Sequence, residues 1–401
     1  MKIAYCIPSI ESSGGMERIL SLKANYMAEK FDYQVFIITT EKEKQAPFFN
    51  YSSKLKIINL EVNYDELWSM SLPSRFYNYA VKQREYKNKL KKCLNKIRPD
   101  ITISLLRREI NFISSLNDGS LKIGEFHFNK DHYRDYRKSI PNERIRKFVS
   151  HIGMLQLIHK LKQMDMFVVL SSEDQHKWNE LKKVRVIPNP LSFYPEERSS
   201  LRNKKAIAVG RNTFQKGFDL LIEAWKTVNE KHPDWSLSIY GCNGETRLKE
   251  KIESFNLQSV CSLHEPVKNI EEKYRESSIY ILSSRYEGFP MVLIESMACG
   301  VPPVSFACPC GPKDIISDGE DGLLARENDV ADLAEKISVL IENEDKRQEL
   351  GSRARKNVTR FGLDRIMDQW RSLFLSLLET KKNYSLLVIY FFITYIHELV
   401  Y

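Results

Sequence analysis

A chain of 401 residues exceeds what one hydrophobic core supports, so two domains are expected. Its 42% hydrophobic and 28% charged content excludes a fibrous or disordered chain. The net charge of +9 is uneven: residues 1–200 hold 34 Lys+Arg against 23 Asp+Glu, a surplus of 11, and residues 201–401 hold 27 against 29, a deficit of 2. A basic first half calls for an anionic partner, membrane or nucleic acid.

In chain order, KIAYCIP (2–8) is a short apolar run that starts at once after Met1, so no signal peptide is expected. SIESSGG forms a turn before a helix from about Met16, with Ile19, Leu22 and Tyr26 on one face and Leu20, Ala24 and Met27 beside them. Strands are predicted at 34–40, 56–60, 100–106, 122–126 and 166–171, with a long helix over about 75–97. This alternation implies a mostly parallel sheet covered by helices on both faces. VRVIPNPLSFYPEE (184–197) breaks the pattern with three prolines and marks the domain boundary, and Asn189 within it shapes the hinge.

The alternation restarts at AIAVG (206–210). A helix is predicted at about 216–231, then strands at 236–241, 260–264, 279–283 and 303–306, and mostly helix from 330 to 380. The domains are therefore 1–185 and 200–362, with a helix at about 363–380 expected to pack back onto the first. Two such domains would bind a ligand in the cleft between the carboxyl ends of their strands. Seven cysteines (6, 93, 242, 261, 299, 308, 310) lack framework spacing, which argues for reduced thiols and a cytoplasmic protein. Cys308 and Cys310 are too close for a zinc knuckle, so no metal site is expected.

The chemistry concentrates in YEGFPMVLIE (286–295). Gly288 permits close backbone approach, and Pro290 suits the first helical position. The amides of Met291, Val292 and Leu293 would then face an anion. Glu287 stands before the helix and Glu295 about 7–8 Å further along it. A phosphate on the amides, with a carboxylate accepting hydroxyls on each side, matches ribose, pyrophosphate and hexose. In VGRNTFQKGFD (209–219), Arg211 and Lys216 flank a strand-to-helix turn and could reach one pyrophosphate. Ser12-Ser13-Gly14-Gly15 precedes the first helix as a phosphate-facing loop.

These segments, with EFHF (125–128), VIPNP (186–190) and GPKDIISDGEDGLL (311–324), resemble the family 4 retaining glycosyltransferases up to about residue 375. The resemblance implies the GT-B fold, two Rossmann-like domains facing across a cleft. It implies that Arg211 and Lys216 neutralise the donor diphosphate and that Glu295 holds the ribose. By the same resemblance Glu287 contacts the transferred sugar, with Gly288, Phe289 and Pro290 lining it through backbone. Gly15 would lie beside the phosphates, His127 near the sugar and reacting carbon, and Val267 against the base. The expected activity is transfer of a hexosyl or N-acetylhexosaminyl unit from an NDP-sugar, of the UDP type, to a saccharide acceptor. No Asp-x-Asp occurs, so no metal cofactor is expected.

KQREYKNKLKKCLNKIR (82–98) carries eight basic residues and one acidic, which suits docking on anionic lipid. Nucleic acid is set aside for want of aromatic interleaving. The tail NYSLLVIYFFITYIHELVY (383–401) has an uncharged stretch too short for a span and is expected to anchor at a membrane surface, with packing against the first domain as the alternative; either fits a lipid-linked acceptor at the inner face of the plasma membrane. Two other readings stay open: a sugar-nucleotide-binding scaffold without turnover, and a GT-B sugar-nucleotide epimerase.

Overall fold

The computed structural model describes residues 1–12, 14–133, 142–242 and 246–400, the side chains of Leu72 and of 384–400 excepted. The first domain runs β1 (Lys2–Cys6), α1 (Gly15–Glu29), β2 (Gln34–Thr39), β3 (Lys56–Asn59), α2 (Leu72–Ile97), β4 (Ile101–Ser104), β5 (Leu121–Glu125), α3 (Glu143–Leu161), β6 (Met166–Val169), α4 (Ser172–Lys177) and β7 (Val184–Val186). The second runs β8 (Lys205–Val209), α5 (Phe218–Lys231), β9 (Ser236–Tyr240), α6 (Thr246–Ser254), β10 (Cys261–His264), α7 (Ile270–Arg275), β11 (Ile279–Leu282), α8 (Met291–Ala298), β12 (Pro303–Phe306), α9 (Pro312–Ile315), β13 (Leu323–Ala325), α10 (Val330–Glu342) and α11 (Glu344–Asn357). Then α12 (Leu363–Val400) ends the chain.

Each domain is one parallel sheet. The strand orders are β3-β2-β1-β4-β5-β6-β7 and β10-β9-β8-β11-β12-β13. Central strands read IAYC, ITIS and IYIL because both faces are covered, so alternation gives way to continuous apolar runs. The order reverses between β1 and β4 in one sheet and between β8 and β11 in the other. Such switch points open a crevice at the carboxyl ends of the strands. Both sheets are doubly wound, the Rossmann-like pair of a GT-B fold.

Three local expectations are corrected. Val184–Val186 does not leave the pattern but pairs with β6 as an edge strand, because the prolines begin only at Pro188. On α1, Leu22 and Tyr26 are only half-buried; the buried stripe is Leu20, Lys23, Ala24 and Met27. Glu143–Leu161, which the sequence reading missed, is a helix capped by Asn142, whose side chain accepts from two amides.

The end of the chain returns to the first domain. Ile366, Met367, Trp370 and Phe374 of α12 share a core with Ile3, Tyr5, Leu20 and Ile37. Tyr26 also donates to Asp364 at 2.6 Å. The membrane-anchor expectation for 383–401 falls almost wholly outside the described side chains. Among the described residues no helix is long and apolar enough to cross a membrane.

The two domains also touch beside α4. Asp314 of α9 accepts from the amides of Ser172 and Glu173 at 3.2 and 3.3 Å. The Cys310 amide donates to Glu173 at 3.0 Å, and its thiol donates to the buried Asp174 at 3.8 Å. Burial raises the Asp174 carboxyl to about 6, against the Trp178 N–H that favours its ionised form. A folded value above the unfolded 3.8 means a contribution that is full below that value and lost as pH rises through about 6. Asp174→Asn should therefore raise the unfolding free energy at pH 8 by up to about 3 kcal/mol and change it little at pH 4. Calorimetry at the two pH values checks this.

Candidate active site

The loops that follow β8 and β11 meet each other in the second domain, and the loop after β5 of the first domain closes on the β11 loop across the cleft. After β8, Gly210 has no side chain and the stem of Lys216 lies over it; a Cβ there would stand 3.1 Å from the lysine Cε. The chain then turns through Gly217 at φ 61, where a Cβ would stand 2.1 Å from the Ser283 carbonyl. So the helix predicted from 216 begins only at Phe218, after a short 3-10 turn that carries Lys216. Only glycine satisfies both the left-handed angle and the close approach.

After β11, Glu287 is buried. Lys216 Nζ lies 2.6 Å from its Oε1, Ser284 donates to the same oxygen at 2.6 Å, and Gln215 donates to Oε2 at 3.4 Å. Glu287 thus accepts from three side chains and has a cation at hand. Its amide donates to the Pro309 carbonyl at 3.0 Å, and its carbonyl accepts from Asn129 of the first domain at 3.3 Å. Gly288 abuts the same domain: a Cβ there would stand 2.8 Å from the His127 carbonyl oxygen. Beside it, His132 stacks on Tyr286 across the cleft, ring centroids 3.5 Å apart.

Glu295, within α8, is also buried. Arg18 of α1 reaches across to it at 2.8 Å, Ser192 donates to the same oxygen at 2.9 Å and Tyr274 to the other at 3.4 Å. Burial raises its carboxyl, opposed by the Arg18 charge and the two hydroxyls. Arg18 was not singled out from the sequence. Its signal was the spacing from Gly15, three residues back and so on the same helix face. Gly15 opens α1 with nothing within 4 Å of where its Cβ would be.

Arg211 follows Gly210, is exposed, and has no hydrogen-bond or ion-pair partner among the described residues. His127 donates from Nε2 to Glu125 at 2.9 Å. Val267 is exposed in the loop after β10. Pro290 is the N-cap of α8 rather than its first residue, and the Leu293 amide already donates to the Pro290 carbonyl at 3.0 Å. Hence the amides of Met291 and Val292 are left at the helix start, and Leu293 is withdrawn from that role. The Phe289 ring packs edge-on against Phe361 in the core, so only its backbone can face a ligand. Among the described residues no group of three or more His, Cys, Asp or Glu is placed to hold a metal ion.

Two buried carboxylates, each ion-paired at a switch point of a two-sheet cleft, define a site for a ligand rich in hydroxyls and anionic oxygens. Residues 194–357 match the model of the family described as glycosyl transferases group 1. An uncharacterized glycosyltransferase of Haemophilus influenzae is 27% identical over 379 residues, 93% of this chain and 99% of that protein. A Campylobacter jejuni enzyme, named as an alpha-1,4-N-acetyl-D-galactosaminyltransferase acting on a diNAcBac-PP-undecaprenol-linked saccharide, is 25% identical over 383 residues, 93% of this chain and 98% of its own. The crystal structure of Staphylococcus aureus TarM superposes with a TM-score of 0.73 at 16% identity, covering 93% and 99% of the two chains. Fold, family match and relatives together support a GT-B glycosyltransferase.

Proposed function

We propose that the chain is a retaining transferase that moves a hexosyl or N-acetylhexosaminyl unit from a UDP-sugar to a lipid-linked saccharide, in polysaccharide or oligosaccharide assembly. The observation that carries this is the Lys216–Glu287 pair at the second switch point, closed from the first domain by His127 and Asn129. The TarM structure contains UDP, and the Campylobacter enzyme is named for a polyprenol-linked acceptor.

In this reading Lys216 exchanges Glu287 for the donor diphosphate, and Arg211 supplies the second cation. Glu287, relieved of its partner, accepts from the sugar hydroxyls, and Glu295 accepts from the ribose. The Met291 and Val292 amides and Gly15 border the phosphates, and Val267 brackets the base. The anomeric C–O bond breaks toward the diphosphate, whose growing charge the two cations stabilise. The acceptor oxygen bonds to the anomeric carbon from the same face, and its proton passes to the departing phosphate oxygen. Fixed cations do the work of a metal ion, so turnover should survive EDTA.

The test is a panel of NDP-sugars with a polyprenyl-diphosphate-linked saccharide. Acceptor-dependent product with retained anomeric configuration is expected. Inverted product, strict dependence on a divalent ion, product without acceptor, or donor binding without turnover would each overturn the part it addresses.

The acceptor's lipid would be met at the surface. The outward face of α2 starts with exposed Phe76 and Tyr77 and continues as Arg84, Lys87 and Lys91. On α3, Ile145, Phe148, Ile152 and Leu155 recur at helical spacing and are all exposed. Asn111, between the helices, hydrogen-bonds Tyr79 of α2. Both helices start at the carboxyl-end side of the sheet, so the patch borders the cleft. An apolar stripe beside clustered cations suits the headgroup layer of an anionic bilayer. The protein should co-sediment with phosphatidylglycerol vesicles and not with phosphatidylcholine ones. Phe148→Glu with Ile152→Glu should release it; retention would rule out this face.

A further inference from the structure

Below the cleft, apart from the two ion-paired glutamates, three ionisable side chains form one chain. Lys23 of α1 is 1% exposed, and its Nζ donates to Oε1 of Glu125, the last residue of β5. His127, two residues on, donates from Nε2 to the same Oε1 at 2.9 Å. An ionised carboxylate only accepts, so Nε2 carries a hydrogen and Nδ1 is the ring nitrogen left over. No described residue partners Nδ1, and Oε2 of Glu125 is likewise buried without a partner. Trp370 of α12 covers Lys23 with its ring centroid 4.0 Å from the ammonium, and Tyr5 of β1 lies at 5.6 Å.

A fully buried lysine–glutamate pair is a poor device for stability alone, since apolar residues of the same volume usually serve as well or better. This pair ends on a histidine whose backbone meets Gly288 of the opposite domain. The groups that face Glu125 are Lys23 from α1, Tyr5 from β1 and His127 from the loop that follows β5. From α12 comes only the neutral indole over Lys23. Burial alone would raise the Glu125 carboxyl, but the charges and hydrogen bonds of Lys23 and His127 outweigh it and hold it at about 2.

We propose that Glu125 and Lys23 are positioning residues for His127: the carboxylate pins Nε2 inward so that Nδ1 meets a hydroxyl of the bound sugar or acceptor, and Lys23 keeps the carboxylate an acceptor. This rests on the reading of His127 as part of the transferase site. With Nε2 held as the donor to Glu125, Nδ1 is left to accept a hydroxyl hydrogen.

The test compares the full-length protein with His127→Ala, Glu125→Gln and the double variant Lys23→Met/Glu125→Leu, by steady-state kinetics that separate kcat from KM and by thermal unfolding. Glu125→Gln keeps an acceptor for Nε2 but leaves Lys23 without its counter-charge, so kcat should fall less than in the double variant, with donor KM little changed. The double variant exchanges the pair for apolar side chains and should fold. Its kcat should fall about 10–100-fold, by analogy with metal-bound histidines that lose their orienting partner, with donor KM little changed. A folded double variant with wild-type kcat would overturn the proposal, and it decides the matter should Glu125→Gln misfold. If His127→Ala itself turned over normally, the assignment of His127 to the site would fail first. If His127→Ala were impaired while the other two behaved as wild type, only the positioning role would fall.

Discussion

Replacing Arg211 with alanine should lower kcat by about 10²–10³ and leave the unfolding midpoint where it was. The first half follows from electrostatics. A fixed donor aimed at charge that develops in the transition state is worth about 2.7–4 kcal/mol of barrier. The second half follows from the site: Arg211 is exposed and bonds to no described residue, and substitutions at such positions stay within about 0.5 kcal/mol. Lys216→Ala should behave differently. It strips the cation from the buried Glu287, a change that costs about 3–5 kcal/mol when nothing compensates. The hydroxyl of Ser284 and the amide of Gln215 remain to soften that cost. One variant should thus lose turnover alone, and the other turnover and stability together. Kinetics and calorimetry on both separate the two effects. Normal turnover in Arg211→Ala would remove the residue from the site.

That contrast also marks how far the sequence could be read. Arg211 and Lys216 look alike there, two cations between glycines. The structure distinguishes them because Gly210 and Gly217 fold the loop so that only Lys216 turns back onto Glu287. Glu287, Gly288 and Glu295 could be picked out because they fall within nine residues of chain, and a strand end, a turn and a helix start each leave a local signature. The two doubly wound sheets were legible for a related reason: their buried strands are unbroken apolar runs between amphipathic helices.

What escaped was non-local. Arg18 meets Glu295 across 277 positions of chain, and Lys23 meets Glu125 across 102. Nothing near either cation announces its partner. On α1, Lys23 reads as a solvated residue until tertiary packing places it under Trp370, some 350 residues on, with no local pattern to say so. The edge strand β7 was missed because three residues before a proline-rich stretch are too few to show a period. Leu293 was misassigned because its amide closes a tight i→i−3 bond onto the Pro290 carbonyl, a local tightening of the first turn that residue spacing does not show.

Trp370→Ala should be the most destabilising single change in the first domain. The indole is 1% exposed and packs on Phe374, with ring centroids 5.6 Å apart, and in one core with Ile3, Tyr5 and Leu20. Truncating a buried tryptophan costs about 3–5 kcal/mol, by lost transfer energy and by the cavity it leaves. Here the cavity would open over the Lys23 ammonium and take away its aromatic cover, so water would enter beside a buried charge pair. In a unit of this size such a loss lowers the midpoint by about 10 °C or more. The partners of Trp370 all belong to the first domain, although α12 follows the second in sequence. The melt of the variant should therefore split, with an early transition for the first domain and an unshifted one for β8 to α11. A single transition at the wild-type temperature would mean that the returning helix is an ornament on the first domain and not a layer of its core.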